Sequence, residues 1–201
     1  MINLPEPIKK FAAKFSRLPG IGPRQATRLA FYLINQEKAE IKEIGAAILD
    51  LEKIKICENC FFVHQNKGVL CDICEDKNRN PKIIAVVEKE TDLLSLENTE
   101  KFNGKYLVLG QINRSGILED WQKNRLENLK KSIKNNFGGK AEEIILALSP
   151  SRYGDFNASL LSKELQPYAS KISRLGRGLP IGSEIEFADE ETLSEALKNR
   201  G

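Results

Sequence analysis

Apolar residues recur at helical spacing three times before residue 56. Ile8, Phe11, Ala12, Phe15 and Leu18 share one face of a first helix, and Ala26, Leu29, Ala30, Leu33 and Ile34 one face of a second. Ile41, Ile44, Ile48 and Leu51 mark a third over residues 40–55. Then the period changes. Lys82–Glu88 (KIIAVVE) is a continuous β-branched run of the kind carried by a parallel strand buried on both faces. Lys105–Gly110 and Glu143–Ser149 are two more such runs, and Lys171–Gly176 predicts a fourth strand. Helical segments follow at Thr91–Leu96, Leu118–Phe137 and Asn157–Gln166. Strand and helix alternate, so the second part reads as an α/β unit with a mainly parallel sheet. Trp121, at the start of the longest helix, reads as core.

Between the first two helices stands Pro19-Gly20-Ile21-Gly22-Pro23. Gly20 and Gly22 tolerate positive φ, Ile21 is placed to staple the helices together, and Pro23 suits a first helical turn. The product is a helix–hairpin–helix whose bare backbone N–H groups lie beside a helix N-terminus, a place that attracts phosphate. Arg24 and Arg28, four apart, share the face that follows. Charge strengthens this reading. The net charge is only +3, but residues 1–36 carry six basic residues and one acid, +5 net, against −2 for the remaining 165. Lys14 and Arg17 add to that field. The segment predicts DNA binding through the phosphate backbone, blind to base sequence.

All four cysteines lie between residues 57 and 74. Cys57 and Cys60 form one C-x₂-C knuckle and Cys71 and Cys74 another, with ten residues between. Two such knuckles suit one structural Zn²⁺ per chain, in a closed four-thiolate site with no position open for substrate. This zinc loop is expected to stiffen the joint between the helical and α/β parts. His64, between the knuckles, reads as a loop residue and not a ligand. Prolines and lysines stand at the N-terminus where a signal peptide would be apolar, and no apolar run approaches the roughly 20 residues of a membrane span. The chain is expected to be cytoplasmic, which disfavours disulfides.

In an open α/β sheet, functional residues gather at the carboxyl ends of the strands. Glu88 ends the first strand, Gly110–Gly116 follows the second and Ser149–Asp155 the third. Glu88, with Asp155 or Glu90, is a thin carboxylate set for metal-assisted phosphate chemistry.

Hairpin, four-cysteine loop, α/β sheet and the closing string Arg174–Leu197 (RLGRGLPIGSEIEFADEETLSEAL) together resemble the RecR family of bacterial recombination mediators, over essentially the whole chain. The resemblance implies a Toprim fold for the α/β part. It divides the chain into a helix–hairpin–helix domain (1–54), a zinc finger (55–79), a Toprim domain (80–176) and a C-terminal segment (177–201). In that segment Arg177–Gly182 matches the part of the family likened to a Walker B element, and it suits a subunit contact. Enzymatic Toprim domains carry a glutamate after the first strand, matched by Glu88, and Asp-x-Asp after the third. Here the latter is Ser149-Pro150-Ser151, and Tyr153 stands where related sequences often have glutamate. The resemblance therefore implies a non-enzymatic homo-oligomer, a dimer or a four-subunit ring. It would act with RecO-like and RecF-like proteins to help load recombinase at gapped DNA, with Glu88 meeting a partner protein. The alternative is a Toprim-type, metal-dependent nickase or nuclease.

Overall fold

In a computed structural model that describes residues 3–200, the three N-terminal helices form where their spacing predicts: α1 over Glu6–Phe15, α2 over Pro23–Ile34 and α3 over Lys38–Asp50. A 3-10 turn at Leu51–Lys53 follows α3. Helices α1 and α2 pack together and bury Ile8, Ala26 and Ala30, while α3 buries none of its side chains. The chain divides into two compact units between Ile54 and Lys55.

The second unit opens with a small antiparallel hairpin, β1 (Lys55–Ile56) and β2 (Val63–His64), then the single turn α4 (Asp72–Glu75). There follow β3 (Ile83–Val87), α5 (Glu90–Glu97), β4 (Lys105–Val108), α6 (Asp120–Asn136), β5 (Ala141–Ala147), α7 (Arg152–Leu165), β6 (Ala169–Arg174) and α8 (Glu190–Lys198). Strands β4-β3-β5-β6 lie side by side in that order, all parallel. The chain leaves β3 toward β4 on one side and later sets β5 on the other. A crevice is therefore expected where the ends of β3 and β5 diverge from their connections.

Alternate residues of β3 serve the two faces of the sheet. Ile84 and Val86 join Leu107, Leu109, Leu126, Ile133 and Leu161 in one core cluster. Ala85 and Val87 join Tyr106, Val108, Leu93 and three of the cysteines in the other. The metal loop thus forms part of a sheet face, and its knuckles are fastened there. Val108 N–H donates to the Cys60 carbonyl at 2.8 Å. Lys105 Nζ donates to the carbonyls of Ile73 and Asp76 at 2.6 and 2.7 Å. The core packing of the loop belongs to the sheet unit.

Two readings are corrected here. Helix α7 starts at Arg152, five residues before the expected Asn157, because Ser151 caps it by accepting from Gly154 N–H at 3.1 Å. Its first turn is polar and carries no apolar period. Trp121 is not core but half-exposed: its indole lies over the backbone of Gly110 and donates Nε1–H to Glu119 Oε2 at 2.5 Å.

Candidate functional site

The hairpin closes by short-range backbone bonds. Leu18 N–H donates to Phe15 C=O at 3.0 Å, and Ile21 N–H to Leu18 C=O at 3.1 Å. Gly20 sits at φ +77°, where a side chain would be strained. Gly22 does not use its freedom: it is the N-cap of α2 at φ −82° and ψ 167°. What it contributes is the lack of a side chain, so the first N–H groups of α2 have no side-chain cap. Ile21 is half-buried. Lys14, Arg17, Arg24 and Arg28 are all exposed, and none joins an ion pair among the described residues. An uncapped helix N-terminus and four unpaired cations are the components of a phosphate-backbone grip.

The four cysteines converge from two turns. Their Sγ atoms all lie within 4.8 Å of one another, and Cys57, Cys60 and Cys71 are buried. Cys60 and Cys71 Sγ are 3.4 Å apart, close to the roughly 3.8 Å edge of a sulfur tetrahedron around Zn²⁺. Cys71 N–H points at Cys57 Sγ (3.4 Å) and Asn59 Nδ2 at Cys74 Sγ (3.5 Å), outer-shell donors typical of thiolate sites. Without a cation the thiols compete. The hydrogen bond from Cys60 drives the Cys71 thiol far down, and the same contact pushes Cys60 up. A divalent ion lets all four ionise together, so the donor set fits such a metal. His64 lies in β2 rather than in a loop. It is buried, accepts from Asn66 N–H through Nδ1 at 3.3 Å and is not among the clustered ligands.

At the carboxyl end of the sheet, Glu88 is buried directly after β3 and accepts from Ile112 N–H through Oε1 at 3.2 Å. It fixes the Gly110–Gly116 rim from beneath. Gln122, buried on α6, supports the same rim by donating to the carbonyls of Gly110 and Gln111, each at 3.2 Å. Arg114 on the rim lies 5.2 Å from the ring of Tyr153, at the start of α7. Asp155 is engaged by Arg174 (2.6 Å) and by Arg177, and these arginines, Arg177 foremost, hold its carboxyl below the ordinary aspartate range. Sequence reasoning singled out the segment that carries these two arginines but not their pairing with Asp155, which lies 19 and 22 residues earlier in the chain.

The family model "RecR, helix-hairpin-helix" matches residues 8–51, a Toprim domain model residues 82–176, and "RecR, C-terminal" residues 178–200. The Recombination protein RecR of Synechococcus sp. (strain CC9605) is 42% identical over 190 residues, covering 93% of this chain and 95% of that protein. That of Frankia casuarinae is 37% identical over 191 residues, 93% and 92% of the two chains. That of Staphylococcus aureus (strain Newman) is 34% identical over 201 residues, 99% and 98%. The chain belongs to the RecR family.

In this RecR-family chain the Toprim sheet carries Glu88 after β3 and Ser149-Pro150-Ser151 after β5. Ser151 is spent on capping α7, and Asp155 on two arginines. Among the described residues, the four cysteines are the one group of three or more cysteine, histidine or carboxylate side chains that could hold a metal ion. No helix among those residues is long and apolar enough to cross a membrane.

Proposed function

We propose that this chain is a non-enzymatic DNA-binding repair protein that encircles DNA as a ring-shaped homo-oligomer. It works with RecO-like and RecF-like partners to help load recombinase at gaps. The observation that carries the DNA reading is the uncapped N-terminus of α2 beside exposed Lys14, Arg17, Arg24 and Arg28, with Gly20 and Gly22 keeping the turn low. Contacts of this kind address phosphates and not bases. One copy offers few charges, so several copies around a common hole would multiply the grip.

Unpartnered apolar surface supports assembly. On α3 and just after it, Ile48, Leu49 and Leu51 are exposed, and the C-terminal segment exposes Ile181, Ile185 and Phe187. Such apolar area, on two separate stretches, suits contacts with further subunits. The metal at Cys57, Cys60, Cys71 and Cys74 is zinc in this reading, one per chain and structural, because four thiolates close its shell. Glu88 acts on partners through the rim it holds, since its own carboxylate is buried against Ile112. With Asp155 paired to arginine and Ser149 and Ser151 in place of acids, the crevice binds and does not cleave.

The test is a gel experiment with gapped circular DNA, Mg²⁺ and a salt series, scoring retention and strand integrity together. Intact circles retained with steep salt dependence support the clamp. Nicked circles would establish the Toprim nuclease reading instead and overturn this one.

A further inference from the structure

Phe61 follows Cys60 directly and holds a left-handed conformation, φ +62°, which is uncommon for an aromatic residue. That geometry turns its ring toward α6. The Arg125 guanidinium lies 4.8 Å from the Phe61 ring centroid and 4.7 Å from that of Trp121, one helical turn earlier on the same helix. Arg125 Nη1 also donates to Val108 C=O at 2.8 Å, while Val108 N–H donates to Cys60 C=O at 2.8 Å. One residue of β4 is thus bonded through its N–H to a metal knuckle and through its C=O to Arg125.

Trp121 continues the chain of contacts. Its ring lies on the Gly110 backbone so closely that a Cβ there would come within 2.0 Å of the indole, and Gly110 is at φ +93°. Gly110 opens the rim that Gln122 and Glu88 hold at Gln111 and Ile112. A planar guanidinium can contact two rings and a carbonyl at once, which an ammonium cannot. A merely buried arginine would require none of these three partners to lie between a metal loop and a crevice rim.

We infer that Arg125 is a positioning residue that couples the four-cysteine site to the Gly110–Gly116 rim through Phe61 and Trp121. The state of the metal loop then sets how that rim is presented. The inference rests on the reading of the cysteines as a metal site. It also makes Trp121, the only tryptophan in the chain, a reporter of metal occupancy at a crevice it does not share with the cysteines.

The full-length protein, loaded with Zn²⁺, is treated with a strong chelator and then resupplied with Zn²⁺. Metal content, far-UV circular dichroism and tryptophan emission are followed together in the wild type and in Arg125→Lys, Phe61→Leu and Phe61→Tyr. The expected result is a reversible emission shift in the wild type and Phe61→Tyr while the sheet signal persists. Arg125→Lys and Phe61→Leu should bind one metal yet lose that shift. An unchanged wild-type emission on metal loss overturns the coupling and leaves the metal site standing, as does a wild-type response in both Arg125→Lys and Phe61→Leu. Collapse of the sheet signal in every protein also overturns it, because the metal then serves folding alone. Failure of any protein to bind metal overturns the metal reading and this inference together.

Discussion

The helical unit and the sheet unit carry apolar patterns of equal clarity, yet they use them differently. In the sheet unit, Val86, Val87, Val108 and Leu109 are each 0% exposed. In the helical unit, α3 buries nothing, and Leu49 and Leu51 remain 63% and 68% exposed. Periodicity reports which face of an element is apolar. It does not report whether the same chain covers that face. The sheet unit supplies its own covers, with α6 and α7 on one face and α5 with the cysteine loop on the other. The helical unit leaves apolar surface for something else.

The comparison is broken most forcefully at the metal. If the sheet unit is self-contained only because the cysteine loop closes one of its faces, Cys60→Ser should unfold that closure. Cys60 is fully buried, so the change removes a ligand and buries a hydroxyl. Structural zinc in a small loop binds largely through the folding of that loop, so its loss releases the loop first. The expected outcome is loss of stoichiometric metal and a lowered thermal transition that stays cooperative, read by elemental analysis and calorimetry, because the α6 and α7 face keeps its own core. A variant whose transition does not move without metal would show that the sheet closes unaided.

The next test acts on the other unit. Leu49→Asp with Leu51→Asp puts charge on the exposed α3 region. Exposed positions cost a folded chain about 0.5 kcal/mol or less, so the thermal transition should barely move. The assembly mass by light scattering should fall sharply if this face meets another subunit. An unchanged mass would mean that α3 simply faces solvent, and the contrast between the units would lose its functional meaning.

Much of this contrast was legible beforehand, for identifiable reasons. The four strands and the C-x₂-C knuckles were readable because β-branched runs and ligand spacing are local signals. The start of α7 was not, because it is set by a single capping serine ahead of a polar turn. Trp121 was misplaced because large aromatics are usually core, and its position against Gly110 depends on a loop 11 residues upstream. The pairing of Asp155 with Arg174 and Arg177 was invisible because it joins the start of α7 to the end of β6 and the segment beyond. Gly20 and Gly22 both tolerate positive φ, and glycine spacing alone does not say that only Gly20 takes the left-handed position.

Arg24→Ala with Arg28→Ala separates binding from folding. Both side chains are exposed and unpaired, so stability should hold. Affinity for any DNA sequence should drop about 10- to 100-fold, and the slope of log affinity against log salt should flatten by about 2, one per lost phosphate contact. Fluorescence anisotropy over a salt series reads both. Loss confined to particular sequences would contradict a backbone grip.

Within the sheet unit, the C-terminal segment behaves like the helical one: it exposes apolar side chains and is anchored by polar contacts at its start. Arg177 binds Asp155, and Asn199 Nδ2 donates to Arg177 C=O at 2.9 Å. Asp155→Asn should cost about 1 kcal/mol or less, because solvent reaches the pair. The carboxyl is held below its ordinary range, so the contribution is complete above about pH 4 and fades as pH falls through the lower folded value. The mutant and wild type should differ in thermal transition and in protease cleavage after Gly176 at pH 7, and converge in acid. A difference that does not shrink as pH falls below about 4 would assign the effect to something other than the ion pair.

The smallest effect discriminates most finely within the hairpin. Gly20→Ala forces a Cβ into a left-handed conformation and should cost about 1 kcal/mol of stability, although nothing lies within 4 Å of that Cβ. Gly22→Ala has neither clash nor positive φ, but alanine is the poorer N-cap, so its cost should be about 0.5 kcal/mol. If Gly22 is glycine to let a phosphate approach the uncapped turn, Gly22→Ala should weaken DNA binding several-fold while its melting curve stays near wild type. Gly20→Ala should show the reverse ordering. Should both act on melting alone, the turn would be a connector, and the arginines beside it would hold DNA without help from the backbone.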